Sequence, residues 1–403
     1  MGFIVIACLI LLGVIVVQVG QISEISKALR GEEQAERRSN DISGRWLVIF
    51  MVVFLIACIW SFKHYKPVML GFAGNEASSA HGGLIDSMFN VTLVITGIVF
   101  FITQILTFWF SYRFRERDGV KALFYPHNNT LEVVWMAIPA VAMSFLVVKG
   151  LIAWNGIMAD IPKDAKPLGE VTEEMLKDKN LGKTHYIEVE STGQQFAWIL
   201  RHPGKDGLLG ERNYRIISSD NDLGQVWTDT KNHDDIKPDE LVLPKGIPVR
   251  VRITAKDVLH NFYLPQFRVK MDAIPGLPTY FVFTPIETTE ERRAELSAQE
   301  HWNTPADPKD PENTKKRWET FNFELACAEL CGKGHFSMRR VVKIVTLEEY
   351  KKWLDGQQSF YSQNVKGTPN DTSHSIGTTE NTSTDVQSVS DKAEQHQNAQ
   401  PGI

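Results

Sequence analysis

The chain has 403 residues, a formal net charge of −5 and only four cysteines, and its mean hydropathy of −0.17 reads as that of an ordinary soluble protein. That average conceals a strongly apolar first third and a polar remainder, and the mild acidity offers no basic surface of the kind that binds nucleic acid. Four apolar runs, residues 2–19, 46–62, 88–110 and 131–154, approach or exceed the about 20 residues that cross a bilayer core. Lys27, Arg30, Arg37, Arg38 and Arg45 lie between the first and second runs, and Arg113, Arg115, Arg117 and Lys121 between the third and fourth. Basic residues concentrate in cytoplasmic loops, so both connections are expected to face the cytoplasm. Both termini and the large polar region then lie on the outer side, in the periplasm of a double-membrane bacterium. Val-Ile-Ala-Cys8 has the look of a lipoprotein cleavage box, but no Lys or Arg precedes it and the apolar stretch before it is short, so a retained helix is expected. Cys8 and Cys58 are read as apolar helix residues, which leaves Cys327 and Cys331 for chemistry.

From about residue 160 to residue 354 the pattern changes to short alternating stretches punctuated by Gly and Pro: residues 187–190, 196–201, 241–243, 249–253, 280–283, 321–325 and 341–345. These predict an all-β sandwich or barrel. A charged, proline-bearing insert at 286–320 interrupts it, helical in composition at 290–300 and loop-like at 304–313, and it is read as a solvated decoration. Residues 357–403 are rich in Ser, Thr, Asn, Gln and Asp, and a segment of that composition is expected to be disordered.

The chemistry is concentrated in Cys327-x-Glu329-x-Cys331-Gly332-x-x-His335-x-x-Met338. Thiolate, thioether and imidazole together are soft donors that select copper over hard cations. Gly332 and Gly334 allow a loop in which these donors converge. A structural zinc site and a disulfide between Cys327 and Cys331 are the competing readings. A second imidazole is sought upstream in Asp257-Val-Leu-His260, placed just past the strand at 249–253.

These motifs, with Val269-Lys-Met-Asp-Ala-Ile-Pro-Gly276, resemble subunit II of the haem–copper cytochrome c oxidases. The resemblance implies the family's membrane hairpin at 63–155 and a cupredoxin-like Greek-key barrel in the metal domain at 156–356; the first two apolar runs, with their loop at 1–62, are additional to the family's pattern, so four transmembrane α-helices are expected before the barrel, with the tail beyond it. It implies a binuclear CuA centre in which Cys327 and Cys331 bridge two coppers, His260 and His335 each cap one, and Met338 and the Glu329 carbonyl are weak ligands. It further implies that the Glu329 side chain shares a magnesium ion with subunit I, and that Glu132, in His127-Asn-Asn-Thr-Leu-Glu132-Val-Val-Trp135, lies at the mouth of a proton channel. Electrons are expected from a cytochrome c near Trp198, with Phe196 standing where the family has Trp. That departure, Lys256 beside Asp257 and the two additional helices suggest a membrane-tethered donor. Candidate docking carboxylates are Asp220, Asp222, Asp234, Asp235, Asp239 and Asp257. The partner is oxidase subunit I, with haem and CuB, in a proton-pumping enzyme that reduces oxygen to water. A membrane-anchored copper carrier is the alternative. No Cys-x-x-Cys-His motif is present, so no covalent haem is attached to this sequence.

Overall fold

The computed structural model describes residues 2–373 apart from residues 73, 118 and 311–313. The helices are α1 (Gly2–Arg30), α2 (Glu32–Tyr65), α3 (Gly82–Arg113), α4 (Asn129–Ile157), α5 (Leu181–Thr184), α6 (Thr289–Ser297), α7 (Leu347–Asp355) and α8 (Phe360–Asn364). The strands are β1 (Lys166–Pro167), β2 (His185–Gln194), β3 (Ala197–Arg201), β4 (Leu241–Pro244), β5 (Val249–Ala255), β6 (His260–Leu264), β7 (Val269–Ala273), β8 (Thr279–Phe283), β9 (Phe323–Cys327) and β10 (Arg339–Val345). They divide between two compact units, one made of residues 1–160, 263–270 and 282–324, the other of the remainder.

The first unit contains the long helices. Among the described residues, three helical spans are long and apolar enough to cross a membrane: Glu33–Val68, Gly82–Arg113 and Asn129–Ile157. In the region of the first predicted span the chain is also helical, although its described apolar stretch, Gly13–Ile22, is shorter. The basic connection expected as a loop is helical on both sides of Gly31, which takes φ 82. Glycine reaches that left-handed region without strain, while i,i+4 pairs Glu33–Arg37 (2.5 Å) and Asp41–Arg45 (2.6 Å) support α2 at its start. The helix α2 runs along α3, with Phe50 against Phe108 at 5.5 Å and Phe54 against Phe100 at 6.1 Å. At one end of this contact the Arg115 Nε donates to Asp41 at 2.8 Å, so the second additional helix finds its packing partner within the chain. Asn128 caps α4 by accepting from the Leu131 N–H at 3.0 Å. Glu132 stands in the first turn of α4, half-buried.

The insert is not the decoration expected of it. Thr288 and Glu291 form a capping box that starts α6. Arg292, 4% exposed, donates to the carbonyls of Gly74 and Glu76, and Gln299 donates to the Gly74 carbonyl at 2.8 Å. The loop between α2 and α3 is thereby fastened beneath the insert. Phe267, Phe321 and Phe323 pack in contact, with centroids 4.7 and 5.2 Å apart.

Most of the β structure lies in the second unit. One five-stranded sheet has the order β1-β2-β5-β8, with β3 added on β2, and the other has the order β4-β10-β9-β6-β7. Alternation in β5 puts Val249, Val251 and Ile253 fully inside, each burial contributing about 1.5–3 kcal/mol. Strands β6 and β7 were not predicted, and His260 opens β6 rather than trailing β5. In the His260–Leu264 stretch, His and Asn lie among apolar residues, so the period is blurred. The Tyr350 hydroxyl of α7 donates to His202 Nε2 at 3.0 Å, and His202 Nδ1 donates to the Pro203 carbonyl at 2.6 Å. The tail is ordered at its start, against expectation. Tyr361 of α8 stacks on His233 at 4.0 Å and Val365 is 2% exposed, so a few apolar side chains suffice to seat α8 on Trp227. Residues 374–403 lie outside the described residues.

Candidate metal centre

Strand β9 delivers Cys327, and the chain then turns through Cys331 and a short 3₁₀ turn at His335–Ser337 before Met338 leads into β10. The loop closes on itself through the Cys327 N–H, which donates to the Met338 carbonyl at 3.2 Å, and it is tied to β6 where the Ala328 N–H donates to the Asn261 carbonyl at 3.2 Å. These bonds carry His260 to the same place as the loop. Gly332 takes φ 135, a conformation that side-chain-bearing residues rarely adopt, and a Cβ on Gly334 would lie 2.4 Å from the Phe196 ring. Phe196 therefore packs flat over the metal loop and needs both glycines bare.

Cys327 Sγ lies 4.0 Å from Cys331 Sγ, and both thiols are free rather than joined as a disulfide. His260 Nδ1 is 3.8 Å from Cys327 Sγ, and His335 Nδ1 is 3.6 Å from Cys331 Sγ. Met338 Sδ is 3.9 Å from Cys331 Sγ, and the Glu329 carbonyl accepts from Cys327 Sγ at 3.2 Å. His260, Cys327 and Cys331 form the compact set, their donor atoms all within 4.8 Å of one another. The structure thus brings together six of the predicted groups. His335 is held on the Cys331 side, and Glu329 approaches through its main chain while its side chain is exposed. Burial, then the neighbouring Cys327 thiol, push the Cys331 thiol up to about 11. Without metal it is protonated at neutral pH, so a metal must displace that proton.

A second layer of contacts was not legible in the sequence. The Asp257 carboxylate takes His260 Nε2 at 2.9 Å, the Gln195 N–H at 2.7 Å and the Val258 N–H at 2.7 Å. Burial alone would raise its carboxyl, but the Gln195 N–H, His260 and the Val258 N–H together hold it below the usual range. Asp257 fixes the ring so that Nδ1 faces the thiols. Gln195 joins both halves of the site, because its side-chain amide also donates to the Cys331 carbonyl at 2.6 Å. Gly193 leaves room for His260, whose Cδ2 would be 2.8 Å from an added Cβ. Trp198 is buried at 1% exposure, with its ring 6.1 Å from His260. Phe196 is the more exposed of the two aromatics, at 37%.

The docking carboxylates fare differently. Asp235 is bonded to Arg201 inside the domain, and Asp222 is paired with Lys237. Asp234 accepts from the Asp206 N–H at 2.9 Å, and Asp257 serves His260. Of the six, Asp220 and Asp239 are exposed and make no ion pair among the described residues.

Two family profiles match the sequence: cytochrome c oxidase subunit II, transmembrane domain, over residues 66–151, and cytochrome c oxidase subunit II, periplasmic domain, over residues 187–288. The second match ends where the insert begins. An alternative cytochrome c oxidase subunit 2 of Bradyrhizobium diazoefficiens is 33% identical over 69% of this chain and 82% of its own length. A cytochrome c oxidase subunit 2 of Thermostichus vulcanus is 24% identical over 78% of this chain and 85% of its own. The solved periplasmic domain of subunit II of the Bradyrhizobium japonicum cytochrome oxidase is similar at 24% identity, over 42% of this chain and 91% of that one, with a TM-score of 0.26.

Proposed function

Since this chain belongs to the cytochrome c oxidase subunit II family, we propose that it is the subunit through which electrons come into a haem–copper terminal oxidase, by way of a binuclear copper centre on Cys327 and Cys331. The family membership makes the chain part of the oxidase, anchored in the membrane with a periplasmic domain. The observation that carries the finer reading is the pair of free thiols 4.0 Å apart, each with an imidazole Nδ1 beside it. A single blue copper site needs one thiolate and two imidazoles. Here a second thiolate stands inside the same donor set, which suits two metals bridged by two sulfurs.

When bound, such a centre shares one electron between two coppers, so each bond changes little as the electron passes. The residues of the chain prepare that exchange. Asp257 and Gln195 hold His260 and the Cys331 main chain in place, the buried Met338 thioether would supply a weak donor to a bound metal, and the Glu329 carbonyl faces Cys327. Phe196 and Trp198 lie on the side from which an electron arrives, and Phe196 covers the loop from solvent. The donor in this reading is a cytochrome c, held near the site by a membrane tether, and the acceptor is the haem of subunit I, where oxygen is reduced as protons are pumped. The exposed Glu329 side chain is a hard ligand suited to a magnesium ion shared with subunit I.

In the membrane, four crossings put both termini and the metal domain on the periplasmic side. Glu132, in the first turn of α4, then lies at the cytoplasmic end, as the mouth of a proton path. Glu132→Gln is expected to slow proton uptake, followed by a pH-indicator dye, while copper reduction keeps its rate; normal turnover would remove Glu132 from the path.

A copper carrier would need exposed, exchangeable ligands. Cys327, Cys331, Met338 and His260 are all under 10% exposed and come from two separate segments, which favours a resident centre. The direct check is metal analysis of the purified full chain: two coppers per chain support the proposal, whereas one exchangeable Cu(I), or zinc held in preference, supports a carrier or a structural site.

A further inference from the structure

The first unit holds a cleft of about 570 Å³ at the start of α3, walled by the loop that follows α2 and by Ile286. Its place along the helix decides what it can take. The 32 residues of α3 span about 48 Å, against about 30 Å of hydrocarbon in a bilayer, so the helix projects beyond the membrane core. The apolar run of α3 begins only at residue 88, and the cleft straddles that point. Glu76, Asp86 and Ser87 line it before the run, and Asn90 and Val91 line it within the run.

Ser87, Asn90 and Val91 are spaced by three and four positions, so they share one face of α3. A carboxamide inside an apolar run is costly without a partner. The side chains of Asn90 and Ser87 make no hydrogen bond among the described residues. Asp86 is committed, because its two oxygens accept from Arg268 at 2.7 and 3.0 Å. Glu76 is exposed, and its carboxylate accepts the Gly74 N–H at 2.9 Å but makes no ion pair among the described residues. The cleft therefore offers one uncompensated negative charge, two neutral hydrogen-bonding groups at the edge of the apolar run, and the apolar Val91 and Ile286.

We propose that this cleft seats the headgroup of an aminophospholipid, with its ammonium on Glu76, its phosphate on Ser87 and Asn90, and its first acyl carbons along Val91. A free anion would be repelled by Glu76, and a free cation would leave the two polar groups and the apolar wall unused. A zwitterion with an apolar body satisfies all of them, and the volume lies in the range of about 300–1,000 Å³ that seats a small molecule. The proposal needs only that α3 crosses a membrane, in keeping with the family's transmembrane match over residues 66–151, and it stands apart from the copper reading.

The test is native mass spectrometry of the whole oxidase, offered phosphatidylethanolamine, phosphatidylcholine and phosphatidylglycerol with the same acyl chains. The parent is expected to retain an additional phosphatidylethanolamine relative to phosphatidylglycerol. Phosphatidylcholine should fall between them, since its trimethylated ammonium keeps the charge but cannot donate. Glu76→Gln is expected to lower retention of that phosphatidylethanolamine roughly tenfold, the weight of one charge-assisted hydrogen bond, and to bring it level with phosphatidylglycerol. Ser87→Phe fills the cleft from the helix side and should lose the additional lipid whichever headgroup is offered. Copper content should be that of the parent in both variants. Equal retention of the three lipids by the parent, a preference for phosphatidylglycerol, or a Glu76→Gln variant with the parent's complement would overturn the proposal. So would an oxidase whose retained lipids are the same with and without Ser87→Phe, the result expected if a side chain of a neighbouring subunit fills the cleft.

Discussion

The Arg201 cluster and the metal loop both bury polar groups in the β-rich unit, but only in the first do the side chains bond one another directly. Arg201, 1% exposed, uses all three nitrogens: Nε and Nη2 donate to Asp235 at 2.9 and 2.6 Å, Nη1 to Glu190 at 3.0 Å, and Nη2 also to Asn232 and the Gly210 carbonyl. In the metal loop two thiols, two imidazoles and a thioether stand 3.6 to 4.0 Å apart, facing one another at distances too long for strong hydrogen bonds. Side chains that satisfy one another make a brace. Lone pairs gathered around a common point, and held there by Asp257 and Gln195 from outside, make a site for something else.

That contrast can be broken most severely at the thiols. Cys327→Ser is expected to abolish the two-copper centre and with it electron transfer from the donor, while the fold survives because no hydrogen-bonded brace is lost. Metal content and steady-state oxidase activity check it, and an unchanged spectrum would end the bridging role. Arg201→Met should do the opposite. It leaves Asp235 and Glu190 buried without their cation and costs about 3–5 kcal/mol, seen as a lower urea midpoint, yet in the protein that remains folded the copper spectrum should be that of the parent.

A smaller effect comes from His202, buried beside the brace, whose imidazole is lowered to about 4 by burial. In the unfolded chain it takes up its proton below about 6.5, and in the folded chain only near 4. Stability supplied by the neutral ring is thus present above pH 6.5 and lost as pH falls toward 4, up to about 3 kcal/mol. Urea midpoints measured across that window should fall with acid, and the slope should flatten in His202→Gln. Met338→Leu is the mildest change. Both coppers should remain, because the thioether is the weak donor, and the shift should be confined to the reduction potential read by spectroelectrochemistry. Loss of a copper in that variant would make Met338 a principal ligand.

How much of this was legible in the sequence follows from what each feature depends on. The four soft donors of the metal loop are local and coded by residue type, so their chemistry could be read directly, and the alternating period announced β8 to within one residue and β5 to within two, while β9 lies two residues later than expected. His260 was expected near the two thiols, and the fold does bring it beside them, but on the opening of β6 rather than past β5, since β6 mixes polar and apolar residues without a clean period. Gln195 and Asp257 are 62 positions apart, and nothing in either segment alone reveals that one holds the other. The insert and the start of the tail were misjudged for a related reason. Composition reports average polarity, whereas Arg292, Tyr361 and Val365 are individual side chains that find buried partners. The polar connection between α1 and α2 was read as a loop because charge suggested solvent, although Glu and Arg at i,i+4 spacing also support a helix.

The central claim is that the paired thiols hold two coppers as one electronic unit. Electron paramagnetic resonance of the oxidised, purified oxidase tests it most directly, with copper counted in the same sample. The account predicts one unpaired electron shared equally by two copper nuclei, recognisable by its seven-line hyperfine pattern, and the loss of that pattern in Cys327→Ser. A four-line signal from a single copper, or a silent centre containing zinc, would contradict it.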